Sequence, residues 1–204
     1  KDGSSRFGAN NKWGIFPSAS VAWKVTGEDF MQSTENWLTN LKIRAGYGVT
    51  GNQDGIGEYK SLSILGVGGD SYYDPATDSW SLAYSPAQNP NPDLKWESTA
   101  QLNIGIDFSL FNRITGSVEW YDKRTEDLLY TYEVPQPPYL VGAILANVGE
   151  LTNKGLEVTL NGNMVQNDKF NWNTNLTFAK NTQKIEKLSN QVYETDIIYS
   201  GSLH

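Results

Sequence analysis

The chain of 204 residues carries 16 Lys and Arg against 23 Asp and Glu, which gives a net charge of −7. This balance argues against a nucleic-acid-binding surface, because affinity for phosphates comes mainly from clustered Lys and Arg. The lack of cysteine excludes disulfide frameworks and thiolate metal sites, and no run of 18 apolar residues predicts a membrane helix. The polar start at Lys1 is unlike a signal peptide, so we expect an internal or C-terminal fragment of a longer protein.

The first third of the chain predicts two strands separated by a helical turn. Apolar and polar residues alternate from Trp13 to Val25 and again from Leu41 to Val49, as in strands with one apolar face. Pro17 indicates a strand entry, a bulge or an edge. Residues 26–40 lack alternation and predict a short helical turn, with Thr26 as its N-cap.

Residues 50–93 form a long predicted connection, rich in Gly, Asp and Pro and broken by short strand-like pieces such as Tyr59 to Leu65. Connections of this length are usually functional. Its aromatic side chains are candidates for contact with a sugar or peptide, although loop packing would use the same residues: Tyr72, Tyr73, Trp80 and Tyr84. Three carboxylates four residues apart, Asp70, Asp74 and Asp78, could contribute to a calcium site, but the EF-hand pattern is absent.

A long β-hairpin is predicted over residues 89–132. Apolar residues occupy every second position from Leu102 to Leu110, a tight turn follows at Phe111 and Asn112, and alternation resumes at Ile114. The decisive question for function is whether the apolar face contacts a protein core or lipid.

The last third of the chain predicts one more long connection and two more strands. Residues 133–153 contain three prolines and are interpreted as a loop. Alternation predicts strands over 154–164 and 170–181, joined by a turn at 166–169. The tail from Thr182 to His204 receives no assignment.

Short connections near 26–40, 110–113 and 166–169 alternate with the long ones at 50–94 and 133–153. Up-and-down strands place all short links at one end and all long links at the other, which is typical of a transmembrane β-barrel. Strands of about ten residues can cross a bilayer at a tilt. The polar faces hold mainly Asn, Thr, Ser, Gly and Gln, and aromatics gather near strand ends. A soluble or surface-exposed β-sandwich that binds glycans remains the alternative, because it predicts the same alternation.

Few residues suggest catalysis or a cofactor. The glycines of Gly46–Gly51 fit G-x-G-x-x-G, but turn sequence rather than a helix follows them, which argues against a dinucleotide site. His204 is the only histidine, so a catalytic triad or histidine metal site is not expected. Asp107 and Glu119 face each other across the hairpin and could suggest a glycosidase, although such pairs are common on polar faces.

A charged set of residues on the polar faces could line a substrate path or brace the barrel against an internal domain. The set comprises Lys42, Arg44, Glu119, Asp122, Lys123 and Arg124.

Two segments of the chain carry distinctive motifs, NPDLKWE over Asn91 to Glu97 and FPSASVAW over Phe16 to Trp23. They resemble the NPDLKWE segment and the FPSxSxAW strand of the SusC/RagA-like family of TonB-dependent outer-membrane transporters. Leu41 to Asn52, Arg113 to Tyr130 and the NVGE and NKG segments between Asn147 and Gly155 are similar to family strands in the same order.

The resemblance implies an antiparallel, all-β fold that forms part of a transmembrane β-barrel in the outer membrane of a Gram-negative cell. Residues 1–204 are expected to be a barrel fragment without the plug domain. The resemblance further implies uptake of a glycan or peptide, a SusD-like surface lipoprotein as partner, energy supplied through the TonB complex, contact with the lipid bilayer, and neither enzymatic activity nor a cofactor. Phe111 and Asn112 are expected at the periplasmic end, with Trp96 and Tyr130 towards the exterior.

Overall fold

The computed structural model describes residues 1–68, 71–167 and 169–189. Strands dominate these residues, and the only helical segments among them are two 3₁₀ helices at Val25–Gly27 and Asp29–Thr34. The strands are β1 (Asp2–Gly3), β2 (Trp13–Gly14), β3 (Ser18–Lys24), β4 (Leu38–Asn52), β5 (Ile64–Val67), β6 (Tyr72–Asp74), β7 (Ser79–Ser81), β8 (Tyr84–Gln88), β9 (Glu97–Leu110), β10 (Ile114–Glu133), β11 (Ala143–Asn167) and β12 (Phe170–Lys187).

Six strands form one antiparallel sheet in the order β12-β11-β10-β9-β4-β3. Each of these strands pairs with the next long strand along the chain, so the sheet is an up-and-down meander. The fold class predicted from alternation is therefore confirmed. With β10 at 20 residues and β11 at 25, the strands exceed the ~10 residues needed to cross a bilayer at a tilt.

The connections segregate to the two ends of the sheet, as predicted. Residues 25–37, residues 111–113 and the link after Asn167 lie at one end, which we call the turn end. Residues 53–96 and 134–142 lie at the other, the loop end. Strands β5 and β8 pair with each other, as do β6 and β7, so the longer connection folds into a nested hairpin of its own.

The turn between β9 and β10 has the left-handed backbone conformation of a tight β-hairpin. Phe111 and Asn112 both have positive φ, at 53° and 51°, and Arg113 N donates to Leu110 O at 3.0 Å. Two left-handed residues in succession match the right-handed twist of paired strands. After β11, Asn167 Oδ1 accepts hydrogen bonds from Lys169 N and Phe170 N at 3.0 and 2.8 Å, which fixes the next reversal.

Two sequence predictions were wrong in detail. Thr26 is not an N-cap: it lies within a 3₁₀ helix, and its Oγ1 accepts a hydrogen bond from Leu41 N at 3.2 Å. The loop predicted over 133–153 is only nine residues long, since β11 already begins at Ala143. The register shifts between Leu128 and Leu129, where Val148 of β11 has no partner between Asn147 and Gly149, and this break in the alternation of β11 hid its start from the sequence.

Buried apolar side chains gather at the loop end, not between layers. One cluster joins the ends of β10 and β11 through Tyr132, Ile144 and Ala146. The other joins Phe7, Ile56 and Leu94, with Trp96 and Leu129 packed against it. The six-stranded sheet itself is a single layer, and no second sheet covers its apolar face in the described part of the chain. A β-sandwich requires such a second layer, so the alternative fold is not favoured.

A search of the described helices finds none with the length and apolar character to span a membrane.

Candidate functional site

The register divides the six-stranded sheet into two chemically different faces. Successive residues of a strand point to opposite sides. Residues aligned across the sheet therefore share a face, and the row Ile43, Ile106, Val118, Val158, Phe178 is apolar throughout. The neighbouring row, Lys42, Asp107, Ser117, Thr159, Thr177, is polar throughout. We call these the apolar face and the polar face.

Large side chains on the apolar face are uncovered. Ile106 in the middle of the sheet is 40% exposed, and Phe178 on β12 is 52% exposed. Leu102, Ile104 and Trp120 are exposed in the same way, so none of them packs into a protein core. Contiguous apolar surface on this scale indicates contact with lipid or another protein.

The apolar band crosses the strands obliquely. On the apolar face, the exposed large apolar side chain nearest the loop end is Tyr47 on β4, Leu102 on β9 and Trp120 on β10. On β12 this side chain is Phe178. The residue of β12 that aligns with Tyr47 across the sheet is Thr182, so the edge of the apolar band lies four residues further from the loop end on β12 than on β4. A shift of four residues along the strands over the four steps from β4 to β12 corresponds to strands tilted by about 35° from the normal to the band, at ~3.4 Å per residue and ~4.8 Å per strand. Transmembrane barrels tilt their strands by about 35–45°.

Arg44 is the centre of the polar face. Its Nε donates to Asp107 Oδ2 at 3.1 Å, and its Nη2 donates to Glu119 Oε2 at 2.8 Å. Arg44 belongs to β4, Asp107 to β9 and Glu119 to β10, so one guanidinium links three strands. Lys42 Nζ approaches Asp107 at 4.0 Å. Asp107 and Glu119 are near each other as predicted, but both carboxylates are held by Arg44, which argues against a glycosidase pair.

Gly105 makes the Arg44 bridge possible. It lies opposite Arg44 on β9, and a Cβ built there would stand 3.0 Å from both Cζ and Nε of the guanidinium. The side chain therefore crosses β9 in contact with the backbone. Tyr121 uses Gly155 similarly, since a Cβ at Gly155 would meet the phenol at 2.4 Å. Lys123 Nζ stands 5.1 Å from the Tyr121 ring centre, within cation–π range.

Two members of the predicted charged set lie on the other face. Asp122 and Arg124 share the parity of Trp120, and Asp122 aligns with Leu102. Asp122 pairs with Lys154 at 2.8 Å, and Arg124 pairs with Glu150 at 3.1 Å. The prediction that they face inward with Glu119 and Lys123 was therefore wrong, because strict alternation separates neighbours in a strand.

The remaining polar face is lined mainly by amides, hydroxyls and small residues. A shallow depression beside Arg44 is lined by Ser20, Ala22, Gly46 and Gly105. Gly46 belongs to the G-x-G-x-x-G match, but β4 runs through all of it to Asn52. No helix N-terminus follows to hold a phosphate, so the dinucleotide interpretation is excluded.

The four aromatic candidates of the long connection lie on its nested hairpin, and all are exposed. Tyr73 and Trp80 pair across β6 and β7 with ring centroids 5.6 Å apart. Tyr72 lies on the opposite side of β6 from Tyr73, and Tyr84 begins β8. The structure therefore brings together only two of the four, and Trp80 is the most accessible, at 71%.

The acidic candidates for calcium serve the hairpin turn. Asp74 accepts hydrogen bonds from Ala76 N and Thr77 Oγ1. Asp78 accepts one from the hydroxyl of Tyr73, and this bond, more than burial, raises the pKa of Tyr73 above its usual range. Asp70 lies outside the described residues. Within the described ranges no group of three or more acidic or histidine side chains could hold a metal ion.

The segment from Asn89 to Trp96 was predicted as the start of the hairpin, but β9 begins only at Glu97, and these residues form a strap outside the strand. Asn91 Nδ2 donates to Leu145 O at 2.8 Å, and Asn89 Oδ1 accepts from Leu140 N at 3.0 Å. From the other side, Asn147 Nδ2 donates to Lys95 O at 2.8 Å while its Oδ1 accepts from Lys95 N at 2.9 Å. Side-chain amides thus replace the backbone pairing that proline removes.

The N-terminal segment packs against this strap through Phe7 and Gly8. Gly8 N donates to Leu94 O at 2.9 Å, and a Cβ at Gly8 would fall 1.6 Å from Pro92 O. Phe7 packs on Trp96 with ring centroids 4.7 Å apart and is almost fully buried. The repeated Asn-Pro pattern was the one sequence signal for a strap. The hydrogen-bond partners of the strap lie about 54 residues away in sequence, so the pattern could not identify them.

Comparison with known proteins agrees with this architecture. The profile of the family described as "TonB dependent receptor-like, beta-barrel" matches residues 1–201. TonB-dependent receptor P39 of Formosa agariphila is 39% identical over 192 residues, which cover 94% of this chain and 18% of that protein. TonB-dependent receptor SusC of Bacteroides thetaiotaomicron is 34% identical over 189 residues, 92% of this chain and 19% of that protein.

A solved structure shows the same fold. The RagAB peptide importer in its closed-closed state superposes with a TM-score of 0.79 at 29% identity, covering 95% of this chain and 21% of that one. The chain therefore spans about a fifth of the length of the proteins it matches. It belongs to the β-barrel family of TonB-dependent receptors, in the SusC/RagA-like group, and its sheet is a section of an outer-membrane barrel wall.

Proposed function

We propose that the chain forms part of the wall and extracellular rim of a receptor that imports glycans or peptides across the outer membrane. The observation that carries the proposal is the contrast between the two faces of one single-layer sheet. Ile106 and Phe178 represent an uncovered apolar face. Arg44, Asp107 and Glu119 represent a polar face that is cross-linked along its surface. In a transmembrane barrel the first contacts lipid and the second faces the lumen.

The loop end is the extracellular end in this proposal, because outer-membrane barrels carry short turns on the periplasmic side and long loops outside. Phe111 and Asn112 then lie at the periplasm. The strap and its two buried clusters hold the base of the extracellular connections. The nested hairpin bearing Trp80 extends from this base with its aromatic rings exposed.

Substrate capture is assigned to the nested hairpin. Tyr73 and Trp80 offer adjacent ring faces, with Tyr72 and Tyr84 nearby in the same hairpin. Aromatic faces next to hydroxyls and carboxylates suit a sugar ring or a peptide side chain. A SusD-like lipoprotein would close over the captured ligand, and TonB would act through parts of the receptor outside this chain, including a plug domain. The family consists of receptors and transporters, and the proposed cycle needs neither a catalytic residue nor a cofactor.

The test uses the full-length receptor in its own cell. Deletion of its gene should abolish growth on one glycan or peptide source, and a TonB-deficient strain should show the same defect. Affinity purification from detergent extracts should recover a surface lipoprotein with the receptor. Growth on every such source at the wild-type rate without the gene would contradict the proposal.

A further inference from the structure

Strands β5 and β8 form a two-stranded ribbon within the nested hairpin. Val67 aligns with Tyr84, and just beyond this pair Gly68 N donates to Ala83 O at 3.0 Å. In an antiparallel ladder, pairs that exchange hydrogen bonds alternate with pairs that do not. Val67 and Tyr84 are therefore a pair without mutual hydrogen bonds, and the backbone N–H and C=O of Val67 point away from β8.

Leu65 continues this outward edge of β5. It aligns with Pro86 and lies two residues from Val67, so its N–H and C=O also point away from β8. The outward groups repeat every two residues, about 6.8 Å at ~3.4 Å per residue. Within the described part of the chain, no group forms a hydrogen bond with them. The edge of β5 thus presents two donors and two acceptors in a row.

The opposite edge of the ribbon is blocked. The outward position on β8 opposite Leu65 is Pro86, which has no N–H to donate. Proline and charged side chains are usual means by which proteins prevent an edge strand from pairing with another chain. Strand β5 has the sequence ILGV, with neither proline nor charge, so its edge lacks this protection. The ribbon can therefore extend its ladder on the β5 side.

The side chains along this edge are uncovered. Leu65 is 64% exposed and Val67 is 66% exposed. They share one side of the ribbon with Tyr84 and Pro86, because aligned residues point to the same side. A strand added to β5 would place every second side chain beside this apolar side. A two-stranded ribbon is marginally stable at best, which favours its completion by a third strand.

We propose that the free edge of β5 captures an extended peptide by strand addition, and that this peptide carries apolar side chains at alternate positions. The inference rests on the proposed function, in which the nested hairpin captures substrate, and it selects between the two substrate classes left open there. An extended peptide carries N–H and C=O groups at the same repeat of about 6.8 Å, and pairing with a sheet edge is a recurring mode of peptide recognition. A glycan chain lacks this repeat of amide groups and cannot continue the ladder.

The experiment uses the full-length receptor, purified in detergent with its copurifying lipoprotein, and a library of random synthetic nonapeptides as the probe. Retained peptides are identified by mass spectrometry, and the tightest binder is synthesised with one N-methyl group at each residue in turn. Each N-methyl group removes one backbone donor. Loss of a hydrogen bond changes affinity by about two- to tenfold, so affinity should fall by about this factor at every second residue and change little at the residues between.

Hydrogen exchange shows whether the edge is free before the peptide arrives. The amides of Leu65 and Val67 point outward, so they should exchange rapidly in the peptide-free receptor and become protected when the peptide is added. Protection before addition would show that another segment of the receptor already pairs with β5.

Two substitutions at one position separate the backbone from the side chain. Val67→Pro removes the outward N–H without breaking a hydrogen bond of the ribbon, a position at which edge strands tolerate proline. It should weaken peptide binding at least about tenfold, because it removes a donor and obstructs the edge. Val67→Ala keeps the N–H and should weaken binding by only about threefold, through side-chain contact alone. If limited proteolysis shows that Val67→Pro opens the ribbon, the N-methyl scan alone decides.

Four results would each overturn the inference: no peptide retained from the library, an N-methyl scan without a period of two, protection of the β5 amides before peptide is added, or equal affinity of Val67→Pro and Val67→Ala with the ribbon intact. These outcomes are separable from failure of the proposed function. A receptor whose gene is needed for growth on a glycan, but which retains no peptide, keeps the proposed function and loses this inference.

Discussion

Gly105 leaves the space through which the Arg44 side chain crosses β9 to reach Glu119. Any larger residue must push the guanidinium away from the sheet, because its Cβ would stand 3.0 Å from Cζ. Gly105→Val should destabilise the barrel by about 1–3 kcal/mol, the usual cost of overpacking a fitted site. The measurement is the urea midpoint of the full-length protein refolded into lipid vesicles.

Gly46→Ala is the matched control for Gly105. It lies on the same face, but its nearest neighbour would be Ser20 Cβ at 3.7 Å, an ordinary contact. The control should change stability by less than about 0.5 kcal/mol, as expected for a surface substitution away from special features. Equal midpoints for Gly105→Val and Gly46→Ala would refute the role given to Gly105.

Asn91 holds the strap with both ends of its amide. Its Nδ2 donates to Leu145 O, its Oδ1 accepts from Asp93 N at 3.1 Å, and the residue is buried. Asn91→Ala should cost about 1–3 kcal/mol locally, because the partly buried Leu145 carbonyl loses its donor. Limited proteolysis of the full-length receptor in detergent should then cleave residues 53–96 faster.

Asn91→Asp distinguishes the two hydrogen bonds. It keeps the acceptor for Asp93 N but places a carboxylate against Leu145 O, so it should be cleaved at least as fast as Asn91→Ala at neutral pH. Protonation of the new carboxyl restores a donor, so protection from cleavage should return at acidic pH. Identical cleavage of both variants and the wild type would show that the strap does not depend on Asn91.

Trp80 is the most accessible of the four aromatic candidates. If the hairpin contacts substrate, Trp80→Ala should weaken ligand binding about fivefold, since an aromatic contact contributes on the order of 1 kcal/mol. Isothermal titration of the full-length receptor with its transported ligand gives the affinity. Trp13→Ala removes a similarly exposed indole from β2 and is the control; an equal loss in both variants would contradict a specific role for Trp80.

At the scale of elements, a charged side chain introduced on the apolar face should lower the free energy of unfolding more at the centre of the apolar band than at its edge. Ile106 lies mid-band on β9, whereas Leu102 lies at the edge nearest the loop end. Ile106→Arg should cost about 2–4 kcal/mol and Leu102→Arg about 0–1 kcal/mol, following the depth dependence measured in barrels. Ser117→Arg on the polar face should cost little. Vesicle refolding midpoints give all three values, and equal costs would contradict lipid contact.

The strands and their faces could be predicted because alternation is a local signal. Leu102 to Leu110 alone indicates one apolar face, and the paired lengths of the connections indicate the up-and-down order. The start of β11 at Ala143 could not be predicted, because a bulge at Val148 breaks the alternation of this strand and the prolines just before it suggest a loop. The prediction that Asp122 faces inward was wrong, because Asp122 is three residues from Glu119 on the same strand and therefore points to the opposite face.

The functional contacts were less predictable than the strands. The Arg44 bridge depends on the register between β4 and β9, and a shift of one residue would move Arg44 to the other face. The strap depends on contacts between Asn91 and Leu145 that no local pattern encodes. Gly105 fitted the alternation of β9, but nothing in the sequence indicated that the Arg44 side chain would cross the strand at this residue.

At the scale of the whole molecule, the sheet formed by the described residues has two free edges, β3 and β12, and an uncovered apolar face. Unpaired edges and exposed apolar surface favour aggregation. The chain spans only about a fifth of its relatives, so neighbouring strands of the complete barrel would pair with both edges. The oblique apolar band fits that arrangement, since its tilt of about 35° is the tilt of strands in closed barrels.

The central claim is that one face of this sheet contacts lipid and the other faces a watery lumen. The most direct test places single spin labels at each residue from Leu102 to Leu110 in the full-length receptor, reconstituted in a bilayer. Accessibility should alternate with a period of two. Oxygen dissolved in lipid should speed the relaxation of labels at even-numbered positions, and a water-soluble nickel chelate should speed the relaxation of labels at odd-numbered positions. Equal accessibility to both reagents along the strand, or protection of the even-numbered positions from oxygen, would contradict it.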